Sequence, residues 1–362
     1  MIRRSKILLS VFLLTLFLII LQGFLGTFKG EGTEREKKLE ISFYAEFLPA
    51  QELLKKEVME LLDKYQIHLY IAISEEKMAA LTPVLKEYQR RNIEYSLWPV
   101  MSKEDGYWVQ ERNLKKFSQF LDRIFEWAKE NKIEIKEVLI DFEPKQFFEL
   151  VDVENFGDFL FWARKTAREN IGKSKFEQSK QVVRQEIIEK IRSRGIKVTA
   201  TFSNFGLEEI KGFSTAAQDF LEAPVFGLPW DRIDFQCYNF PILARSSFTH
   251  PDLARVLYSL TERARKYCHT EISFSVGLLS PQEFSSEEVI VDIGAVLAAG
   301  VYRVNIYSLD GLLEFTEPEK EIERILQARP EKPPLTIGAT WLIFLRKMGW
   351  FYLRSLQFLK NL

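Results

Sequence analysis

The segment "KEVLIDFEPKQF", residues 136–147, decides how the rest of the chain is interpreted, because an apolar run ends there on two carboxylates. The alternating sets are Val138, Ile140 and Phe142, and then Leu139, Asp141 and Glu143. Successive side chains of a strand point to opposite faces, so both acids share one face. Pro144 ends the strand because proline cannot donate a backbone hydrogen bond.

Similar apolar runs recur along the chain, and helical patterns separate nearly all of them. The candidate strands cover residues 41–47, 67–73, 93–100, 137–143, 197–203, 234–240, 272–278 and 303–309. Parallel strands need crossover connections, so eight such units predict a closed (β/α)₈ TIM barrel of the α/β class over residues 40–330. The longer fourth connection predicts two helices, at 156–170 and 176–194.

The same alternation separates a mostly apolar face from a more polar face in most of the other strands. We expect the apolar face to lie under the helices and the polar face to line the barrel. Catalytic groups of such barrels lie at the carboxyl ends of the strands. The candidate site therefore contains Asp141 and Glu143 together with Glu46, Trp98, Trp108, Asn204, Tyr238, Asn239, Tyr307 and Asp310.

The chemistry predicted for this site is acid catalysis on a sugar. Two neighbouring carboxylates do not both ionise easily, so one pKa should rise and leave a proton donor at neutral pH. A carboxylic acid beside aromatic rings suits glycoside hydrolysis. The structural alternative is an ion pair inside the barrel, with Arg303 or Lys197 as the partner, or a carboxylate that caps a loop.

The endings "IDFEP" of strand four and "QCYNF" of strand six resemble the family 18 glycoside hydrolases, the chitinase-like group. The strand-four motif of that family is D-x-x-D-x-D-x-E. The resemblance implies that Glu143 is the general acid and that Asp141 orients the N-acetyl group of the substrate, whose carbonyl oxygen is the nucleophile. It also implies that the Tyr238 hydroxyl supports that group.

This chain departs from the family pattern at several positions. Lys136 and Leu139 stand where the motif has its earlier aspartates, and Tyr307 stands where the family has tryptophan. "FEP" is also similar to the "NEP" acid of retaining barrel glycosidases with two glutamates. Strand seven ends in "SVGLLS" without the second glutamate, which leaves Glu46 or Asp310 as the alternative second carboxylate.

Both ends of the chain carry membrane signals. Residues 1–28 combine Arg3, Arg4 and Lys6 with an uncharged run long enough to span a bilayer, which predicts a transmembrane anchor or a cleaved signal segment. Residues 29–39 form a charged tether. Residues 331–362 form a basic, aromatic, amphipathic tail that either lies in a membrane interface or packs on the barrel. The predicted location is membrane-anchored and extracytoplasmic, or secreted after cleavage.

Composition restricts the remaining possibilities. A net charge of -1 does not indicate a nucleic-acid partner. Two cysteines and three scattered histidines form no metal-ligand pattern, and no cofactor is predicted. Cys237 and Cys268 form either a disulfide or two free thiols. Three functions remain open: a tethered glycosidase acting on a carbohydrate, an inactive sugar-binding barrel, and a membrane-associated structural or assembly protein.

Overall fold

Eight parallel strands close into a ring in chain order, as predicted. The computed structural model describes residues 38–144, 156–171, 176–212, 214–238 and 247–360. The strands are β1 Glu40–Ala45, β2 His68–Ile73, β3 Tyr95–Pro99, β4 Glu137–Phe142, β5 Lys197–Ser203, β6 Arg232–Gln236, β7 Glu271–Gly277 and β8 Arg303–Tyr307.

Helices connect the strands on the outside of the ring. They are α1 Ala50–Leu53, α2 Lys56–Tyr65, α3 Glu75–Arg91, α4 Leu114–Asn131, α5 Phe156–Asn170, α6 Phe176–Val182, α7 Glu189–Arg192, α8 Ala216–Leu221, α9 His250–Tyr267, α10 Ser286–Ala298, α11 Leu309–Leu313, α12 Pro318–Leu326 and α13 Ile337–Lys360. A π-helical stretch, Val183–Ile188, joins α6 to α7, and a 3₁₀ helix, Asn204–Glu209, follows β5. The two helices expected after the fourth strand are therefore present.

Local sequence explains several of these boundaries. Ser285 begins α10 with a capping box, in which its hydroxyl accepts from the backbone N–H of Glu288 and the Glu288 carboxylate accepts in return. Helices α2, α3 and α4 each end on a residue in the left-handed conformation, namely Gln66, Asn92 and Lys132. These caps satisfy backbone groups that a helix end would otherwise leave unpaired.

The strands sort their side chains as the alternation predicts. Val138, Ile140 and Phe142 of β4 are fully buried in the core between strands and helices. Leu139 lies instead in a second cluster inside the ring, with Tyr44, Tyr70 and Trp98 among its members. Asp141, one position past Ile140, therefore points into the barrel, where its carboxylate accepts from Gln236 of β6, as the alternation predicts.

The sixth strand differs from its predicted range, 234–240. It begins at Arg232 and ends at Gln236. The strand starts earlier because Arg232 faces inward and pairs with Glu137 of β4, so a charged residue occupies a strand position. Burial of a paired arginine is invisible to a hydropathy pattern.

The predicted membrane segments have different outcomes. Residues 1–28 and nearly all of the 29–39 tether lie outside the described residues, so the anchor stays a prediction. Within the described ranges, no helix combines the length and hydropathy needed to cross a bilayer. The tail forms α13, which packs against α8, α9 and the 3₁₀ helix. Cys237 and Cys268 are both free thiols.

Candidate active site

Asp141 and Glu143 lie at the carboxyl end of β4 and are connected through one amide. Gln236, at the end of β6, donates from Nε2 to Asp141 Oδ1 over 3.1 Å, and it also hydrogen-bonds Glu143. Asp141 is 2% exposed, whereas Glu143 is only partly buried. Of the two acids, Glu143 is therefore the one that remains in contact with solvent.

Both acids are held toward their protonated forms. Burial raises the pKa of Glu143 from 4.5 to about 8, and the Gln236 hydrogen bond only partly offsets this while Glu46 adds to it. The pKa of Asp141 is also well above its ordinary value, first through burial and then through Glu143, Glu46 and Asp234. Desolvation and like-charge repulsion act in the same direction here. A pKa of about 8 keeps the carboxyl group of Glu143 largely protonated at neutral pH.

Glu46 supplies a third carboxyl group from the end of β1. The Tyr107 hydroxyl donates to its Oε1 over 2.6 Å, and the Tyr307 hydroxyl donates to its Oε2 over 2.5 Å. Burial raises the pKa of Glu46, the two tyrosine hydrogen bonds lower it, and Asp310 raises it again. Lys77 bonds the Glu46 backbone carbonyl rather than the carboxyl group.

Asp310 and Asn204 make contacts that hold the rim of the site. Asp310 accepts from the backbone N–H groups of Phe47, over 2.9 Å, and Glu46, over 3.3 Å. Asn204 donates from Nδ2 to the carbonyl oxygen of Gln236 over 2.7 Å, and its own Oδ1 accepts from Arg346 over 2.5 Å. These contacts position the neighbours of the acids, and a direct substrate role for either residue stays a prediction.

Four aromatic candidates lie in or beside the barrel mouth. The rings of Tyr238 and Tyr307 are 5.7 Å apart, and both residues are partly buried. Trp108, in the loop after β3, packs edge-on against Tyr107 with centroids 5.4 Å apart. Trp98 lies deeper and is 3% exposed, and it packs edge-on against Tyr44 with ring centroids 5.2 Å apart. Its indole N–H has no hydrogen-bond partner among the described residues.

A network centred on Asp234 lies directly beneath the acids. This residue of β6 is fully buried and accepts hydrogen bonds from side chains of four other strands. The donors are Tyr44 at 3.2 Å, Thr201 at 2.8 Å, Ser273 at 2.7 Å, Ser275 at 2.5 Å and Asn305 at 2.7 Å. Because these side chains are hydrogen-bonded to Asp234, the layer of residues around Asp234 forms the floor of the site.

A buried ion pair lies one level lower still. Arg232 bonds Glu137 and also donates to the Tyr70 hydroxyl over 2.6 Å. The partners suggested for the acid pair are elsewhere: Arg303 bonds Glu40 and Glu271 at the amino ends of the strands, and Lys197 is exposed. The structure thus places an ion pair in the barrel, but among the described residues it does not involve Asp141 or Glu143.

Two residues of the site, Gln236 and Tyr107, are not among the candidates that the sequence indicates. The alternation in β6 predicts that Gln236 faces into the barrel, but its residue type does not indicate that it binds the two acids. Tyr107 reaches Glu46 because its backbone adopts a left-handed conformation, with φ of 59°, which sequence alone does not reveal for tyrosine. The Tyr107 loop is fixed on β4, where the Val109 N–H donates to the Asp141 carbonyl over 2.9 Å. Asn239 lies outside the described residues.

Other candidate sites are weaker. A cavity of about 580 Å³ lies outside the barrel between α4, α5, α6 and α8. Its lining includes Glu111, Glu169 and Glu222 but none of the predicted site residues. Among the residues that the structure describes, no group of His, Cys, Asp and Glu side chains could hold a metal ion.

Comparison with known proteins yields structural similarity alone. No family model matches the chain, and no curated protein matches it. Similar solved structures include the PgaB (BpsB) glycoside hydrolase domain from Bordetella bronchiseptica, at 6% identity and TM-score 0.48, covering 78% of this chain and 98% of that one. An endo-β-1,4-mannanase from Thermotoga petrophila has 11% identity and TM-score 0.45, covering 80% and 76%.

Barrels with other chemistry match as well. A tryptophan synthase α-subunit from Pyrococcus furiosus has 14% identity and TM-score 0.39, covering 80% of this chain and 97% of that one. These similarities concern the fold, and they do not distinguish one barrel chemistry from another.

Proposed function

We propose that this protein is a glycoside hydrolase in which Glu143 is the general acid. The observation that carries the proposal is the state of this carboxyl group. It lies at the carboxyl end of β4, it is partly open to solvent, and its pKa is raised to about 8. A general acid works best when its pKa lies near the operating pH.

The surrounding side chains fit a sugar. Tyr238 and Tyr307 present neighbouring rings beside the acids, and Trp108 extends this aromatic surface from the loop after β3. Aromatic rings provide large apolar contact faces, and Tyr hydroxyl groups add hydrogen-bonding capacity. The fixed floor around Asp234 leaves the upper level, with Glu143 and Glu46, as the place where a glycosidic bond would be held.

For the reaction we propose the substrate-assisted route that the family resemblance implies. Glu143 gives its proton to the glycosidic oxygen as the bond to the anomeric carbon breaks. The carbonyl oxygen of an N-acetyl group forms a bond to that carbon, with Asp141 orienting the group and Tyr238 supporting it. Glu143 then accepts a proton from the water that opens the cyclic intermediate.

Glu46 is the second carboxyl group that an alternative mechanism would use. It raises the pKa of Glu143, so the two groups interact electrostatically. Each of its oxygens accepts one tyrosine hydrogen bond, which orients the carboxyl group and leaves a further lone pair on each oxygen. Glu46 is therefore the residue on which a direct-attack mechanism would depend.

Hydrolysis of N-acetylated and plain polysaccharides by wild type and by Glu143→Gln tests the proposal. We expect the substitution to abolish cleavage, since glutamine keeps the shape but has no proton to give. Glu126→Gln is the matched control, because Glu126 is an exposed residue of α4 far from the site. Equal cleavage by wild type and Glu143→Gln would refute the assignment.

A second candidate function is sugar binding without turnover. The observation that favours it is that protein side chains already donate hydrogen bonds to one oxygen of Asp141 and to both oxygens of Glu46, which a binding barrel would tolerate. Glycan binding by both wild type and Glu143→Gln, with no product from either, would select this function.

We also propose that the barrel is exported and held at a membrane. The support is the sequence of residues 1–28, with basic residues before an apolar run and acidic residues after it. Added protease should cleave the barrel in cells whose cytoplasmic membrane is intact but whose outer layers are permeable, because an exported barrel lies outside that membrane. Cleavage only after the cytoplasmic membrane is broken would contradict the proposal.

A further inference from the structure

Helix α13 exposes an apolar stripe to solvent along its whole length. The exposed fractions are 81% for Ile337, 56% for Trp341, 40% for Leu345, 42% for Met348, 59% for Phe351, 45% for Tyr352, 65% for Phe358 and 65% for Leu359. Most of these positions follow one another at three- and four-residue spacing, so they share one face of the helix. The helix has 24 residues, which corresponds to a stripe of about 36 Å at ~1.5 Å per residue.

The opposite face of α13 attaches to the barrel through apolar and polar contacts: Ala339 and Leu353 are buried in the core, and Leu342, Ile343 and Leu356 pack against it. Arg346 donates to the Asn204 side chain and backbone and pairs with Glu208. Gln357 donates to Thr215 and Asp219, both at 2.7 Å. An ordinary surface helix buries its apolar side and exposes its polar side. Here the exposed side is apolar as well as the packed side, so the exposed stripe lacks the partner that such a face normally has.

The charges on this helix indicate which partner fits. Helix α13 contains no acidic residue. Lys347 and Arg354 are exposed and lie along one edge of the stripe. Trp341 and Tyr352, within the stripe, are the residue types that favour the boundary between water and lipid. A cationic edge beside an apolar face complements an anionic surface that has an apolar interior.

We propose that the stripe on α13 lies in the interfacial layer of a bilayer that contains anionic phospholipid, with the helix parallel to the surface. The apolar side chains enter the boundary between headgroups and acyl chains, and Lys347 and Arg354 contact the headgroup phosphates. A second copy of the chain paired in antiparallel symmetry fits less well, since that arrangement would bring the two cationic edges together. This inference does not depend on the proposed hydrolase activity.

The docked helix would also be coupled to the candidate site. Arg346 bonds Asn204, and Asn204 bonds the carbonyl oxygen of Gln236, whose side chain holds Asp141. A bilayer that fixes α13 therefore fixes one edge of the barrel mouth. The site is placed near the lipid surface by the same contacts that attach the helix.

The test uses the full chain with one fluorescent label on cysteine. Met348→Cys places the label in the stripe, and Lys86→Cys places the control label on α3, an exposed position of the barrel four strands away from α9. Cys268→Ser removes the partly accessible native thiol, while Cys237 is 3% exposed. Vesicles contain either phosphatidylcholine alone or equal parts of phosphatidylcholine and phosphatidylglycerol.

With phosphatidylglycerol present, we expect brominated acyl chains to quench the label at 348 and aqueous iodide to lose access to it. The label at 86 should show the reverse. Lys347→Glu with Arg354→Glu should reduce the constant for partition into the vesicles by about 25-fold or more, because each basic residue near an anionic surface contributes about fivefold.

Three results would overturn the proposal. The label at 348 could stay as accessible to iodide as the label at 86. It could be protected equally by phosphatidylcholine alone, which would exclude the anionic component. It could also become protected without vesicles as protein concentration rises, which would assign the stripe to a second copy of the chain.

Discussion

Replacing Glu143 with glutamine should change how stability depends on pH, and this prediction needs no substrate. In the unfolded chain Glu143 titrates at its ordinary pKa of 4.5, whereas burial raises its pKa to about 8 in the folded protein. Between these values the folded state holds a proton that the unfolded state has released. The stabilisation is therefore complete below the lower pKa and is lost as pH rises through the higher one.

The magnitude follows from the same shift. One proton of difference lowers the free energy of unfolding by about 1.4 kcal/mol per pH unit, or about 4 kcal/mol between about pH 5 and pH 8. Glu143→Gln removes this dependence.

Chemical denaturation of the full chain at several pH values in this interval provides the measurement. The stability of Glu143→Gln should fall less steeply with pH than that of wild type, and the two curves should separate most at the alkaline end. Glu126→Gln, on the exposed side of α4, should follow wild type. Parallel curves for wild type and Glu143→Gln would show that this carboxyl group is not held protonated.

Three further outcomes can be measured with conventional methods. Glu137→Gln leaves Arg232 buried without its carboxylate and should lower the free energy of unfolding by about 3–5 kcal/mol, read from a denaturant midpoint. Tyr307→Phe removes a hydrogen bond that lowers the pKa of Glu46, so the pKa of Glu46 should rise. Infrared titration of the carboxyl band would detect this rise, and a titration curve equal to that of wild type would contradict the contact. Gly349→Ala should raise stability by about 1 kcal/mol in the same denaturation assay, because nothing lies within 4 Å of the added methyl group and alanine favours a helix, whereas a loss would mean that this stretch is not helical.

The barrel could be predicted because its signal is periodic and repeated. Alternation in β4 places Ile140 outward and Asp141 inward, and similar alternation recurs around the ring. Each strand alone is a weak signal, but eight strands with crossover helices leave few topologies. The two acids were predicted for the same reason, since their orientation follows directly from that alternation.

The details of the site depend on contacts that no local pattern encodes. Tyr107 reaches Glu46 through a left-handed backbone conformation, and Gln236 links the acids through an amide that resembles any other polar side chain. Arg232 sits in a strand because Glu137, far away in sequence, neutralises it. Each of these depends on a partner brought close only by the closed ring.

Helix α13 illustrates a different limit. Its sequence allows either packing on the barrel or a membrane interface, and the structure shows that it packs on the barrel through Leu353, Arg346 and Gln357 while a second apolar face stays exposed. Apolar side chains do not single out the packed face of this helix, because both faces carry them.

The hydrogen bonds of Asp234 have a consequence for how the ring could be divided. Its donors come from β1, β5, β7 and β8, so they lie on both sides of the seam where the last strand meets the first. A chain cut after β4 would separate Tyr44 from the other donors. Half-barrels of this protein are therefore poor candidates for independent folding or for exchange with another barrel, because hydrogen bonds inside the barrel connect the first half of the chain to the second.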